Sequence, residues 1–229
     1  MRVVLAPDSF KESMTAADAA AAMARGVRSV HPDSECVEVP MADGGEGTTA
    51  ALMAALEGQW RTVRTADALG RRIEARYGLT ADGLAVIEVA ESVGIGLVEP
   101  ADRDALRANS AGVAPLVIDA LDAGATRLIV GLGGTVTTDG GAGLLAGLGA
   151  IWLGVDGTVL DPRPGALLAL DHVDLTALDP RLADTTIELA CDVTNPLLGP
   201  SGAAAIFGPQ KGATPEQVPV LDGVQARVA

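Results

Sequence analysis

Apolar positions recur along the chain with two different periods, and the change between them divides it. Val3, Val4 and Leu5 form a short apolar run that predicts a buried strand. Ala20, Met23, Val27 and Val30 then share one helical face, and Thr15 with Asp18 approximates a capping box at its start. A second strand at 36–39 and a helix carrying Leu52 and Leu56, stopped near Gly58, repeat the unit. Beyond Trp60 the period becomes two. Ile73, Ala75, Tyr77 and Leu79 alternate with Arg72, Glu74 and Arg76, and Asp82-Gly83 turns the run into 84–89. With 60–65 this predicts an antiparallel meander. Helical spacing returns over 112–121, with Leu116, Val117 and Leu121 inward, Pro115 in the first turn and Gly124 just past the end.

The centre of the pattern is the stretch from Arg127 to Gly149. Leu128, Ile129 and Val130 suit a strand buried on both faces of a parallel sheet. Gly131, Gly133 and Gly134, the threonines Thr135, Thr137 and Thr138, and Asp139-Gly140-Gly141 follow before Leu144, Leu145 and Leu148 resume helical spacing. Such a strand, loop and helix bring backbone N–H groups and the positive end of a helix dipole to an anion with no side chain in the way. The loop is neither a Walker A loop nor a GxGxxG site. A glycine-rich turn that only packs helix on strand is the other reading. Further on, 150–153 and 158–160 read as a hairpin through Asp156-Gly157, and 161–185 shows no clear period. A last strand at 187–190 opens into 191–196, and Thr214, Pro215 and Gln217 begin a final helix that Pro219 strains.

These elements predict an α/β fold, with a Rossmann-like parallel sheet domain interrupted by a second, smaller α/β domain with antiparallel strands. Residues 1–58 would be the first part of the Rossmann-like domain and 59–98 the antiparallel part of the insert. Residues 99–229 continue the α/β segments, divided between the two, with the C-terminal completion missing.

Composition narrows the class. A chain of 229 residues, 48% hydrophobic, can bury a substantial core, and 28 glycines imply many sharp turns. The net charge of −14 repels nucleic-acid backbones and anionic membranes, so neither is an expected partner. No basic leader and no apolar run near 18 residues occurs, and a cytoplasmic location is expected. Homo-oligomerisation stays open. Cys36 and Cys191 lack metal-site spacing and are expected to be buried thiols.

Candidate chemistry gathers in the loops after strands. Asp8, Asp43, Asp139 and Asp192 each follow a predicted strand, where open α/β sheets bind ligands. Asp-Gly-Gly-x-Gly occurs at 43–47 and again at 139–143. Of 16 basic residues only Lys11 and Lys211 are lysine, and both fall in such loops, where a compact ammonium can approach a phosphate or carboxylate. Phe10 and Phe207 lie in the same two segments and are expected to pack in the core.

The segments APDSFKES at 6–13, PMADGGEGT at 40–48, VGLGGTVTTDGGAG at 130–143, CDVTNPLLGP at 191–200 and FGPQKGAT at 207–214 resemble, in order and spacing, the class I glycerate kinase family. The resemblance implies a two-domain α/β kinase that uses ATP and Mg²⁺ to phosphorylate D-glycerate, typically at the 2-hydroxyl. Residues 109–115, NSAGVAP, depart from the family's usual Thr/Ser-Ser-x-Gly-x-Gly-Glu-like pattern. Family members also continue well past the equivalent of Ala229. Phosphoryl transfer needs positioning and charge neutralisation. On that basis Gly133, Gly134, Thr135, Asp139, Gly140 and Gly141 are expected at the ATP phosphates, and Lys211, Asp192 and Asp8 at the reaction, the two aspartates as Mg²⁺ ligands or base. Ser9, Lys11, Asp43, Gly44, Gly45 and Asn195 are expected at glycerate. A truncated, non-catalytic binder of hydroxy acid or nucleotide, or a kinase for another small hydroxy acid, are the alternatives.

Overall fold

A computed structural model describes residues 1–8, 10, 13–42, 45 and 47–229. The chain opens with β1 (Arg2–Leu5), α1 (Ala16–Val30) and β2 (Glu35–Glu38), and the two strands pair in parallel from Arg2 opposite Glu35 to Leu5 opposite Glu38. Thr15 caps α1 as expected, its hydroxyl accepting the Asp18 N–H at 3.1 Å. The buried face of α1 is Ala19, Ala20 and Ala24, so of the expected face Ala20 is buried and Val27 half-buried, whereas Met23 and Val30 are exposed. A two-stranded sheet offers little surface, and small alanines fit it most closely.

The next helix, α2 (Thr48–Ala55), is followed by β3 (Gln59–Ala66), β4 (Arg72–Leu79) and β5 (Leu84–Glu88), the predicted meander. A short α3 (Ala90–Val93) leads through 3₁₀ turns to α4 (Ala114–Asp122), which has Pro115 in its first turn and Gly124 just beyond it at φ +87°. Then come β6 (Arg127–Gly131), α5 (Ala142–Gly147), β7 (Ile151–Gly154), α6 (Pro164–Leu167), β8 (Leu170–Asp174) and β9 (Thr186–Ala190). Two helices, α7 (Ala203–Phe207) and α8 (Val218–Val228), close the chain.

One mixed sheet in the order β3-β4-β5-β6-β9 holds the centre together. Its first three strands are antiparallel neighbours, whereas β5 runs parallel to β6 and β6 parallel to β9. The meander is therefore continuous with the central strand. Every residue of β5 is buried, as two covered faces require. Tyr77, Ile87, Val113, Leu116, Leu128, Val130 and Val136 form the main core between this sheet and α4. The turn at Asp156-Gly157 forms, with the Leu160 N–H donating to the Trp152 carbonyl at 2.8 Å, while β7 finds its longer partner in β8, inside the stretch without visible period.

Three expectations are corrected. The last helix begins at Val218 instead of Thr214, which puts Pro219 in the first turn, where no helical N–H is lost and no strain arises. Phe10 is 55% exposed instead of packed in the core. Cys191 is exposed and Cys36 only half-buried, because the strands that precede and contain them are covered on one side at most. Among the described residues, no helix is long and apolar enough to cross a membrane.

Candidate functional site

The loop after β6 is built from its backbone outward. Gly134, Gly140 and Gly141 take φ values of +72°, +62° and +84°, which side chains resist. Behind the loop the segment after α3 pins it: the Ile95 N–H donates to the Gly134 carbonyl at 2.8 Å and the Val136 N–H to the Val93 carbonyl at 3.0 Å. Gly141 is the N-cap of α5, and a Cβ added there would meet nothing within 4 Å. The mouth of the loop is thus open space facing the start of a helix.

Asp139 organises this loop. Its carboxylate is buried, and one oxygen accepts the Ser110 N–H at 2.8 Å, the Ser110 hydroxyl at 2.7 Å and the Gly143 N–H at 2.9 Å. The other oxygen faces the Gly141 N–H at 3.4 Å. Ser110 in turn accepts the Leu144 N–H at 2.9 Å. The segment 109–111 comes so close that a Cβ on Gly143 would lie 2.5 Å from the Ala111 nitrogen and 2.7 Å from that of Ser110.

Lys211 arrives from far along the chain. Its ammonium donates to the Thr137 carbonyl at 2.6 Å and to the Thr135 hydroxyl at 3.0 Å. Burial pulls the lysine down to about 8, with the negative charge of Asp139 acting in the opposite sense. The backbone just before Lys211 is held by Arg103, whose guanidinium donates to the Gln210 carbonyl at 3.1 Å and to the Val98 carbonyl at 3.2 Å.

The segments after β6 and β9 leave their strands side by side, the Leu132 N–H donating to the Ala190 carbonyl at 3.0 Å. Asp192 and Asn195 are exposed in the loop after β9, where the Asn195 amide donates to the Ser201 carbonyl at 3.1 Å. Asp8 is exposed after β1, and Gly45 sits before α2. Ser9, Lys11, Asp43 and Gly44 lie outside the described residues. No group of three or more His, Cys, Asp and Glu that could hold a metal is present among the described residues. Mg²⁺ commonly uses one or two carboxylates and substrate phosphates; Asp8 and Asp192 match that donor type, each exposed after a strand.

Sequence reasoning missed Ser110, Arg103 and Glu88. The buried Glu88 carboxylate accepts the Thr49 N–H at 2.6 Å and the Gly47 N–H at 3.3 Å, fastening the start of α2 to the end of β5. A lone acid ending an apolar strand run was the available signal for Glu88. Ser110 lies in the segment 109–115 that departs from the family pattern.

The fold and this loop define an α/β protein in which β6, one strand from the sheet edge, ends in a glycine loop reached by a half-buried lysine. The chain belongs to the glycerate kinase family, whose pattern matches residues 3–229. It is 45% identical to the Escherichia coli (strain K12) glycerate 2-kinase over 223 residues, 97% of this chain and 58% of that protein. It is 46% identical to the Bacillus subtilis (strain 168) glycerate kinase over the same shares, 97% and 58%. A solved structure from Salmonella typhimurium LT2, assigned as glycerate kinase 2, superposes with a TM-score of 0.88 at 45% identity, covering 100% of this chain and 62% of that one. The chain spans about three fifths of the length of these relatives.

Proposed function

We propose that this chain carries the phosphate-binding part of an ATP-dependent kinase that converts D-glycerate to 2-phosphoglycerate. The observation that carries the reading is Lys211, whose ammonium sits on Thr135 and Thr137 of the glycine loop. A charge held there neutralises what builds up on a transferring phosphoryl group, and backbone N–H groups at Gly133, Gly134 and Gly140 face the remaining phosphate oxygens, with Gly141 leaving room for them. Thr135 and the buried Asp139 hold the loop and the lysine in register. Asp8 and Asp192 would hold Mg²⁺, which would supply neutralisation of phosphate charge, or one of them would take the hydroxyl proton as the new P–O bond forms and the bond to ADP breaks. Ser9, Lys11, Asp43, Gly44, Gly45 and Asn195 hold the hydroxy acid, with Lys11 on its carboxylate. A cytoplasmic location, where ATP is made and used, goes with this reading.

The test is a coupled ADP-release assay with D-glycerate, with the product's phosphate position read by phosphorus NMR. Glycerate-dependent ADP release with a 2-phosphate signal is expected. ATP and glycerate binding without turnover would leave a binding protein, and turnover only with a different hydroxy acid would reassign the substrate.

A further inference from the structure

The turn between β3 and β4 meets the segments 105–109 and 163–165 around a cavity of about 40 Å³, lined by Leu69, Gly70, Arg107, Asn109 and Arg163. At roughly 10–15 Å³ for one water-sized position, it holds a group of about carboxylate or phosphate size. Its polar side chains are donors. Guanidinium groups offer N–H and no acceptor. The Asn109 side-chain oxygen is already taken by the Ala111 N–H at 2.9 Å, which leaves the amide NH₂ to donate. Arg163 has one acidic neighbour, Asp161 at 3.2 Å, with both side chains about half exposed, and such pairs contribute little. Among the described residues Arg107 has no ion pair. In a chain with 30 acidic and 16 basic residues, two arginines line this one cavity, and the nearby carboxylates are taken: Asp67 by the Leu69 N–H at 2.9 Å and by Arg71, Asp104 by the Leu106 N–H at 3.0 Å.

The lining is also held in place. The Asn109 N–H donates to the Ala68 carbonyl at 3.0 Å, the Gly165 N–H to the Leu106 carbonyl at 3.0 Å and the Thr138 hydroxyl to the Ala105 carbonyl at 2.8 Å. Little order would have to be imposed on binding.

We propose that this cavity is a site for a small oxyanion, the carboxylate or phosphate group of a small metabolite, gripped between Arg107 and Arg163 with the Asn109 amide as third donor. The site adjoins the Lys211 loop across the segment 109–111, so a shift at Gly70, on the far wall, is the reporter that separates it from binding at the loop, and the proposal does not depend on the kinase reading. Inorganic phosphate and D-glycerate, titrated separately into the 229-residue chain, serve as probes, with backbone and side-chain amide shifts followed at Gly70 and Asn109. Saturable shifts are expected at both residues. A response to D-glycerate alone identifies a carboxylate site, and a response to phosphate a phosphate site. Arg107→Met and Arg163→Met should each weaken the responding probe roughly ten- to hundredfold, as loss of a charge-assisted hydrogen bond does, while Arg64→Met leaves it unchanged. Absence of saturable shifts with both probes, or unchanged affinity in both arginine variants, overturns the proposal. The wild-type shift map decides if a variant does not fold. Saturable shifts in a catalytically inactive chain refute only the kinase, and turnover without shifts refutes only this site.

Discussion

A lysine removed from water prefers to lose its proton, and Lys211 shows what that preference does to a whole protein. Its folded value is about 8 against 10.5 for an exposed lysine, so between those limits the unfolded chain binds a proton that the folded one does not. Stability therefore rises with pH across that window. Urea titrations at pH 7.5 and 10.5 should show the rise, and Lys211→Met should remove this lysine's part of it while raising stability at neutral pH. Activity has the opposite sign. On the proposed reading the ammonium is the working form, so kcat/KM should fall above about pH 8, the value of the free protein. Lys211→Met should lower turnover by roughly a hundred- to thousandfold, with ATP affinity far less affected, as loss of one preorganised stabilising group does. Wild-type turnover would return Lys211 to a structural role. Asp139→Ala acts on stability, since it strands the Ser110 and Gly143 N–H groups in the interior. Each costs about 1–3 kcal/mol, and the urea midpoint should drop accordingly, with Asp139→Asn milder.

At the scale of elements, the glycines of the loop divide into two kinds. Gly141 has a left-handed φ with open space in front of it, so Gly141→Val strains the backbone by roughly 1–2 kcal/mol and fills the mouth. The protein should still melt cooperatively and lose nucleotide binding by isothermal titration. Gly134→Val should do the same. Gly143→Val instead drives a side chain into the backbone of Ser110 and Ala111, and should abolish cooperative melting. Unchanged nucleotide affinity in a folded Gly141→Val protein would make the loop a packing turn. The strand, loop and helix here, α4 with its proline start and glycine stop, and the meander were all legible in the chain, because each rests on local period and turn chemistry. What was illegible depends on distant partners. Whether Met23 is covered depends on how wide the sheet beneath α1 is, and the meaning of Ser110 depends on Asp139, 29 residues away. Asp139 was singled out for a ligand role, and its carboxylate also accepts backbone and hydroxyl donors of the loop, a second use of an aspartate that no sequence pattern shows.

Across the whole molecule, the sheet ends on one side at β9, where Ile187 is 45% and Leu189 64% exposed on one face. An edge strand with apolar side chains in water invites pairing. Light scattering on the 229-residue chain should show association despite the net charge of −14, and Leu189→Lys should reduce it. A monodisperse monomer at high concentration would show that the edge is protected in solution. The other large-scale feature is the reach of the lysine. Thr135 and Lys211 are 76 positions apart, so the loop is synthesised well before the group that arms it. On a ribosome adding about 5–20 residues per second, several seconds pass in which the glycine loop exists without its ammonium. A nascent chain in that interval has no means of sequestering ATP through Lys211. On the proposed reading, nucleotide binding that uses Lys211 waits until the segment around it has docked on the loop.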